Sequence, residues 1–307
     1  MKTLSDHPMD DFPVRPLHFE VEKLRPQEML WSRTCPEFSM FINALGLHVP
    51  YFERYLIRAL TKVRGRIKDE RLLRDVSAII GQEAHHAKNF VRLNQALATR
   101  YPKVPKLEAG ARDYFAEHAK HDSLKRLVGY TAGYETFTFL AGMIVLQNHD
   151  RWFADADPVV KALWVWHQVE EVEHGAVAFE VYQHLYGDDE WYRKRMVLEA
   201  LTHIATETIK TYTHMARVEG WLRNPFRAVR RLGFCGLMLL RLLKSALPVF
   251  RKGYHPRRHP MATTRQDPIQ IAWRRYEHSG GDVLEIDHAR MAEIMAVRHG
   301  GTSAPAA

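Results

Sequence analysis

Residues 81–86 read Gly-Gln-Glu-Ala-His-His, and residues 166–174 read Trp-His-Gln-Val-Glu-Glu-Val-Glu-His. Each stretch contains a Glu-x-x-His pair, formed by Glu83 and His86 in the first and by Glu171 and His174 in the second. Residues three apart on an α-helix project from the same face, so each pair can offer a carboxylate and an imidazole to one point. The spacing therefore predicts two helices that each direct two metal ligands inward.

One further Glu precedes each pair in a separate helix-patterned segment. Glu53 lies before the first pair and Glu135 before the second, which repeats the order Glu, Glu-x-x-His. This is the ligand order of a dinuclear carboxylate site inside a four-helix bundle. Buried carboxylates are costly without counter-charge, and two metal cations remove that cost. We therefore predict six metal ligands, with the four Glu also acting in catalysis: Glu53, Glu83, His86, Glu135, Glu171 and His174.

Neighbouring residues are alternative ligands or supporting groups. Glu170 also falls on the inward face, so it competes with Glu171 as a ligand or orients a ligating imidazole. His85 and Glu173 each lie two residues from a predicted ligand and point about 200° away around the helix, which assigns them to the surface or to a supporting position. If a seventh ligand exists, His203 is the first choice, although an ordinary amphipathic face explains this residue better.

Apolar periodicity, helix caps and the weakness of strand signals predict an all-α fold. The connection over residues 101–121 is long enough for the crossover that ferritin-like bundles use. We expect a ferritin-like four-helix bundle with additional C-terminal helices, one of them over Leu284 to Arg298. The predicted caps open the four bundle helices at Pro50, at Asp69, at Asp122 or Ser123, and at Asp157, and Gly187 closes the fourth helix.

Charge divides the chain into two predicted domains. Residues 220–266 contain eleven Lys or Arg and no Asp or Glu, whereas the rest of the chain has 33 basic and 36 acidic residues. We predict a bundle domain over 1–219 and a basic amphipathic extension with a tail over 220–307. Two interpretations of the extension carry equal weight: residues 220–259 contact a membrane surface peripherally, or their apolar face packs on the bundle.

Several classes of protein are disfavoured. The basic stretch has no recognisable nucleic-acid module, so no nucleic-acid partner is expected. Cys35 and Cys235 form no Cys-x-x-Cys motif or disulfide framework. Because residues 1–11 lack an apolar signal-peptide core, we expect a cytoplasmic protein, peripheral at the inner membrane surface if the extension binds lipid.

The two His-bearing strings and the string Val-Pro-Tyr-Phe-Glu-Arg at residues 49–54 resemble a bacterial family known as predicted metal-dependent hydrolase, which is related to ferritin-like di-iron proteins. The resemblance covers roughly residues 15–250. It implies a metal-dependent enzyme in which the six residues named above match the metal positions. Tyr51 and Phe52 depart from the small residue expected before Glu53, and this departure would reshape access to the metals.

Three functional hypotheses follow from the ligand set. Four Glu and two His in a bundle are typical of iron sites that activate O2, so we favour an oxygenase or desaturase acting on a small organic substrate, lipid-like or aromatic, with O2 and an electron donor. The alternatives are a hydrolase that uses a metal-bound water at the same site and a ferritin-like iron oxidase or storage protein. Outside these three stands a metal-free protein whose inward polar groups pair with Arg or Lys. The expected cofactors are two metal ions, iron first, with Mn or mixed Mn/Fe using related ligands. Four aromatic residues are candidates for a substrate pocket: Phe137, Phe139, Trp164 and Trp166.

Overall fold

The computed structural model describes residues 7, 9–263, 268–278 and 280–282. This part of the chain is helical and contains no strand, so the predicted all-α fold is confirmed. The helix predicted over Leu284 to Arg298 lies outside the described residues. The α-helices are α1 (Pro36–Gly46), α2 (Val49–Val63), α3 (Glu70–Arg100), α4 (Val104–His121), α5 (Leu124–Leu146), α6 (His149–Trp152), α7 (Pro158–His174), α8 (Val177–Tyr186), α9 (Glu190–Val218), α10 (Pro225–Ala246), α11 (Pro260–Thr263) and α12 (Pro268–His278).

Four helices, α2, α3, α5 and α7, form a bundle that carries all six predicted ligands. Helix α2 packs against α3 and α5, and α7 packs against α5 and α3, which closes the ring. Helix α9 covers α5 from outside, and α1 packs on α9. The predicted long connection between α3 and α5 contains α4, an 18-residue helix that packs on α2 and α3.

Local sequence explains where the bundle helices begin. Pro50 occupies the first turn of α2, where its missing N–H is not needed. Asp69 caps α3 and Asp157 caps α7, because each carboxylate accepts hydrogen bonds from backbone N–H groups of the first turn. Ser123 caps α5 in the same way, which decides between the two residues predicted for that cap.

The fourth bundle helix is shorter than predicted. We expected it to end at Gly187, but α7 ends at His174, and α8 begins at Val177 after a turn. Gly175 lies in this turn, and a Cβ atom there would come within 2.8 Å of the Phe139 ring on α5. The close approach of α5 requires glycine, and the chain breaks directly after the last predicted ligand.

Helix α10 lies outside the bundle and packs on α1, α5 and α9. Its buried side chains are Cys235, Met238, Leu242 and Ala246. Among the described helices, the segment Pro225–Phe250 is long and apolar enough to cross a membrane by length and composition alone, and 28% of its apolar window is buried against the protein. The boundary proposed at residues 219 and 220 falls in the turn before α10, and its role as a domain boundary stays a prediction.

Candidate metal centre

Seven buried side chains form two groups of potential metal ligands at the centre of the bundle. Within each group, one ligand atom of every residue lies within 4.8 Å of those of the others. The structure therefore brings all six predicted residues together and adds His167. The first group is Glu53, His86, His167 and Glu171, and the second is Glu83, Glu135, Glu171 and His174.

Two carboxylates join the two groups. Glu171 Oε1 lies 3.0 Å from His167 Nε2, while its Oε2 lies 3.3 Å from His174 Nε2. Glu83 has the same arrangement, with Oε2 3.4 Å from His86 Nδ1 and Oε1 3.1 Å from His174 Nε2. Each of these carboxylates presents one oxygen to each group, as a ligand that bridges two metal ions does.

The outer carboxylates belong to one group each. Glu53 Oε1 lies 3.5 Å from His167 Nε2 and 3.9 Å from His86 Nδ1 in the first group. Glu135 Oε2 lies 3.4 Å from His174 Nε2 in the second. The repeated order Glu, Glu-x-x-His of the sequence is thus reproduced in space. One outer carboxylate, Glu53, lies beside His86, and the other, Glu135, lies beside His174.

The buried polar atoms of the centre are poorly satisfied by the protein. Both carboxylate oxygens of Glu53 and of Glu83, and one of Glu135, have no hydrogen-bond partner, and neither do His86 Nδ1 and His167 Nε2. Buried polar atoms nearly always have partners, so this many orphans facing one another require explanation. In the described part of the chain, none of the ion pairs of these residues involves Lys or Arg, which disfavours the metal-free alternative. Two cations bound between the groups would satisfy all of these atoms at once.

Burial also controls the protons of the centre. It raises the pKa of Glu53 to about 7 and that of Glu135 to about 8, so both carboxyl groups hold protons near neutral pH when no cation is bound. Burial opposes charge on Glu171 and on His174 as well. Attraction to His167 and His174 outweighs burial at Glu171 and lowers the pKa of its carboxyl group, and attraction to Glu171 raises the pKa of the His174 imidazole. Metal ions entering this centre must therefore displace protons.

The orientation of His174 is fixed by Gln82. The amide nitrogen of Gln82 donates to the backbone carbonyl of Pro13 at 2.9 Å and to Glu173 Oε2 at 3.2 Å. Its oxygen must therefore accept the hydrogen bond from His174 Nδ1, which is 2.8 Å long. Because one proton is held on Nδ1, the proton that a metal displaces from His174 is the one on Nε2, whose lone pair then faces the second group.

Glu170 orients His86 in the equivalent way. Its Oε2 accepts a 2.8 Å hydrogen bond from His86 Nε2, so Nδ1 is the ring nitrogen that faces the first group and can bind a metal once it gives up its proton. Arg15 donates to the other oxygen of Glu170 at 2.9 Å and so holds this carboxylate away from the metal positions. The structure therefore places Glu171, and not Glu170, between the two groups.

The two supporting contacts converge on one buried ion pair. Arg15 donates to both oxygens of Glu173 at 2.7 and 2.9 Å, and Glu173 also accepts from Gln82. Arg274 of α12 contributes a further ion pair to Glu173 at 3.0 Å. Glu173 was predicted to lie either on the surface or in a supporting position beside a ligand. It is fully buried, so the surface position is wrong, and its contacts agree with the supporting position. Residues of the N-terminal segment and of α12 thus orient both histidines.

His167 is a candidate ligand that the sequence reasoning did not assign. It lies four residues before Glu171 on the inward face, so its spacing could have indicated the role. The Gln168 amide lies 2.8 Å from His167 Nδ1, and Gln168 Oε1 has no partner. If the Gln168 side-chain amide is flipped by 180°, its oxygen accepts a hydrogen bond from His167 Nδ1, and His167 Nε2 can then bind a metal.

The other predicted residues lie elsewhere. His203, the first choice for a seventh ligand, is in neither group; it hydrogen-bonds Tyr134 and stacks on Tyr114 at 4.2 Å between ring centroids. His85 is half-buried and also outside the groups. Phe52, the unexpected residue before Glu53, stacks on Tyr134 at 4.2 Å.

An apolar cavity of about 40 Å³ adjoins the centre at His167. Two of the four predicted pocket aromatics, Phe137 and Trp164, line it. The other two do not: Trp166 packs against the His86 ring at 4.7 Å, and Phe139 packs against the turn after α7. The remaining apolar lining includes Val49, Ala141, Ile204 and Leu242, so α2, α5, α9 and α10 all contribute walls.

Comparison with known proteins gives one match. A family model described as predicted metal-dependent hydrolase matches residues 13–260, which is most of the chain and includes every residue of both ligand groups. No curated protein and no solved structure matches, so the ferritin-like assignment of the bundle stays a prediction. The chain belongs to the predicted metal-dependent hydrolase family.

Proposed function

We propose that the protein is a dinuclear metal enzyme that uses O2 to oxidise an apolar organic substrate, with iron as the metal. The observation that carries this proposal is the pair of bridging positions: Glu83 and Glu171 each present one oxygen to each ligand group. Bridging carboxylates with terminal Glu and His, all projecting inward from four helices, form the ligand type of di-iron and di-manganese carboxylate proteins.

The predicted ligands have distinct roles in this proposal. Glu53, His86 and His167, the last not predicted from sequence, would hold the first metal, and Glu135 and His174 would hold the second. Glu83 and Glu171 would offer one oxygen to each metal. When bound, two iron ions would supply the reducing equivalents and open positions for O2 activation, whereas Mn or mixed Mn/Fe would use the same ligands.

The chain itself prepares the centre for this chemistry. The hydrogen bonds that His86 donates to Glu170 and that His174 donates to Gln82 fix both imidazoles before any metal arrives. The side chains that line the cavity beside His167 are mostly apolar, so they disfavour bulk water and suit a nonpolar substrate group. A cavity of about 40 Å³ is small, so a larger substrate requires its walls to open.

Hydrolysis is the second candidate, and the family description favours it. The same ligands can hold two metals that activate water, and this reaction requires neither O2 nor an electron donor. Hydrolytic dinuclear sites more often combine several His and Asp from loops around an open, wet cleft. Here the ligands are Glu and His on helices beside an apolar cavity, and this supports oxidation.

One experiment separates the two reactions. Protein freed of metal would be loaded with Fe(II) without air, and O2 consumption and Fe(II) oxidation would be followed after mixing with O2. The oxidative proposal predicts rapid O2 consumption that is lost in Glu171→Gln and retained in Glu117→Gln, a control with a 70% exposed side chain.

The same preparations, loaded with Mn or Zn, would be tested against p-nitrophenyl esters of several chain lengths. Ester cleavage that Glu171→Gln abolishes, together with no reaction toward O2, would assign the centre to hydrolysis. Two bound metals that catalyse neither reaction would reject both candidates for these substrates.

A further inference from the structure

Helix α10 exposes a strip of large apolar side chains. Seven of the eleven large apolar side chains exposed in the described residues lie between positions 226 and 247. On an ideal helix the five residues defined here as the α10 outer face fall within about 80° of arc. They are Phe226 (87% exposed), Val229 (75%), Leu237 (66%), Leu240 (43%) and Leu247 (60%).

Basic side chains border this face. Arg227, Arg230 and Lys244 are exposed; Arg230 and Arg227 lie at one edge of the apolar arc, and Lys244 lies within it near the C-terminal end of α10. Arg227 and Lys244 form no ion pair with any described residue, and Arg230 approaches Glu37 only at 3.7 Å. Residues 220–266 contain no acidic side chain, so every charged side chain that α10 itself contributes beside the apolar strip is basic.

The opposite side of α10 is occupied by the protein. Met238, Leu242 and Ala246 are buried where α10 packs on α1, α5 and α9. A helix fixed along the bundle in this way, with Arg241 and Lys244 in its second half, is suited to lie on a bilayer and not to cross it. The apolar strip can then enter the headgroup region while the bundle stays in water.

We propose that the α10 outer face docks on an anionic membrane surface. Apolar side chains beside unpaired basic ones match a surface that is apolar within and negative outside. Nucleic acid offers no partner for five exposed apolar side chains. A second copy of the chain would bring the same basic row against itself across a two-fold axis, so the charges oppose that pairing.

The same helix reaches the metal centre from its inner side. Leu242, on the buried stripe of α10, lines the cavity beside His167. A membrane-docked α10 would therefore place this cavity close to the lipid phase, and the substrate class becomes a lipid-borne apolar chain. This last step rests on the proposed function, whereas docking itself requires no metal chemistry.

Docking is tested by vesicle flotation with the full-length chain, both metal-free and metal-loaded. The vesicles would contain phosphatidylcholine alone or with about one third phosphatidylglycerol. We expect binding to the anionic vesicles in both metal states, weakened at about 0.5 M NaCl because salt screens the basic row. Binding to neutral vesicles should be at least about tenfold weaker than binding to anionic vesicles.

Two sets of substitutions locate the surface. Leu237→Gln with Leu240→Gln and Leu247→Gln should lower the affinity about tenfold or more, while circular dichroism stays unchanged because the side chains are exposed. The matched control is Leu198→Gln with Ile209→Gln on α9, where both side chains are 49% exposed. This control should bind as the unmodified protein does.

The second set removes charge. Arg227→Gln with Lys244→Gln should weaken binding and flatten its salt dependence, whereas exposed Arg64→Gln with Arg66→Gln should do neither. Absence of binding to anionic vesicles at low salt would overturn the docking proposal. So would a loss of affinity in the α9 control that equals the loss caused by the three α10 leucine substitutions. Concentration-dependent dimerisation that the leucine substitutions abolish would assign the face to a second copy. If the protein binds two metals but does not dock on anionic vesicles, the docking proposal fails and the proposed function stands. If it docks but binds no metal, the proposed function fails and the docking proposal stands.

Discussion

Glu135→Gln should stabilise the metal-free protein at neutral pH while damaging its metal centre. Burial raises the pKa of Glu135 to about 8, compared with 4.5 for an ordinary Glu, so the folded protein must take up a proton that the unfolded chain releases at pH 7. This difference costs the folded state about 3 kcal/mol at pH 7, at 1.36 kcal/mol per pH unit between 4.5 and 7. Gln has the same shape and carries no such cost.

The pH dependence follows from the direction of the shift. A raised pKa means that the contribution of Glu135 to stability is complete below pH 4.5 and is lost as the pH rises through about 8. The advantage of Gln should therefore shrink from about 3 kcal/mol at pH 7 to less than about 1 kcal/mol at pH 5. Urea unfolding of chelator-treated protein, followed by circular dichroism at pH 5, 6 and 7, measures this difference directly.

The matched control is Glu117→Gln, whose side chain is 70% exposed and whose substitution should change the free energy of unfolding by less than about 0.5 kcal/mol. In the presence of metal the order should reverse, because wild-type protein gains binding energy that Glu135→Gln loses in part. The reasoning is refuted if Glu135→Gln is no more stable than wild type at pH 7 without metal, or if its advantage is the same at pH 5.

Three further predictions concern the centre and the bundle. Glu171→Gln should abolish stoichiometric binding of both metals, while Glu170→Gln should keep two metals at about 10- to 100-fold weaker affinity, as metal titrations with elemental analysis would measure. Loading two metals at pH 7 should release protons, because burial raises the pKa of Glu53 to about 7 and that of Glu135 to about 8, and neighbouring carboxylates raise the pKa of the three ligand imidazoles. Calorimetry in buffers of different ionisation enthalpy would detect the released protons, and release of none would contradict these shifts. Gly133→Ala should lower the free energy of unfolding by about 1–3 kcal/mol, because its Cβ would lie 2.6 Å from the Met196 carbonyl oxygen on α9. The control Gly110→Ala, whose Cβ would meet no neighbouring atom within 4 Å, should raise the free energy of unfolding by up to about 1 kcal/mol. Equal effects of the two substitutions would refute the close packing of α5 on α9.

The ligand groups were accessible to sequence reasoning because they depend on helix periodicity. A Glu-x-x-His pair commits both side chains to one face wherever a helix forms, and two such pairs with two preceding Glu leave few other arrangements. Periodicity also places Glu170 and Glu171 on nearly the same face, so it could not decide between them. The decision depends on Arg15, which contacts Glu170 from 155 positions away.

Other features depend on tertiary contacts that no local pattern records. The apolar periodicity continues to Leu185, yet α7 ends at His174, and Gly175 in the turn that follows packs closely against Phe139 of α5. The cavity beside His167 draws its walls from six helices, α1, α2, α5, α7, α9 and α10. The sequence therefore indicated aromatic candidates without separating Phe137 and Trp164, which line the cavity, from Phe139 and Trp166, which do not.

The central claim is that the two ligand groups hold a pair of metal ions. The most direct test is elemental analysis of metal-loaded protein combined with X-ray absorption spectroscopy to measure the distance between metals. The account predicts two ions per chain at about 3.5–4 Å from each other, coordinated by oxygen and nitrogen only, with both lost in Glu171→Gln. One isolated ion, no stoichiometric metal, or a pair that survives the loss of Glu171 would contradict it.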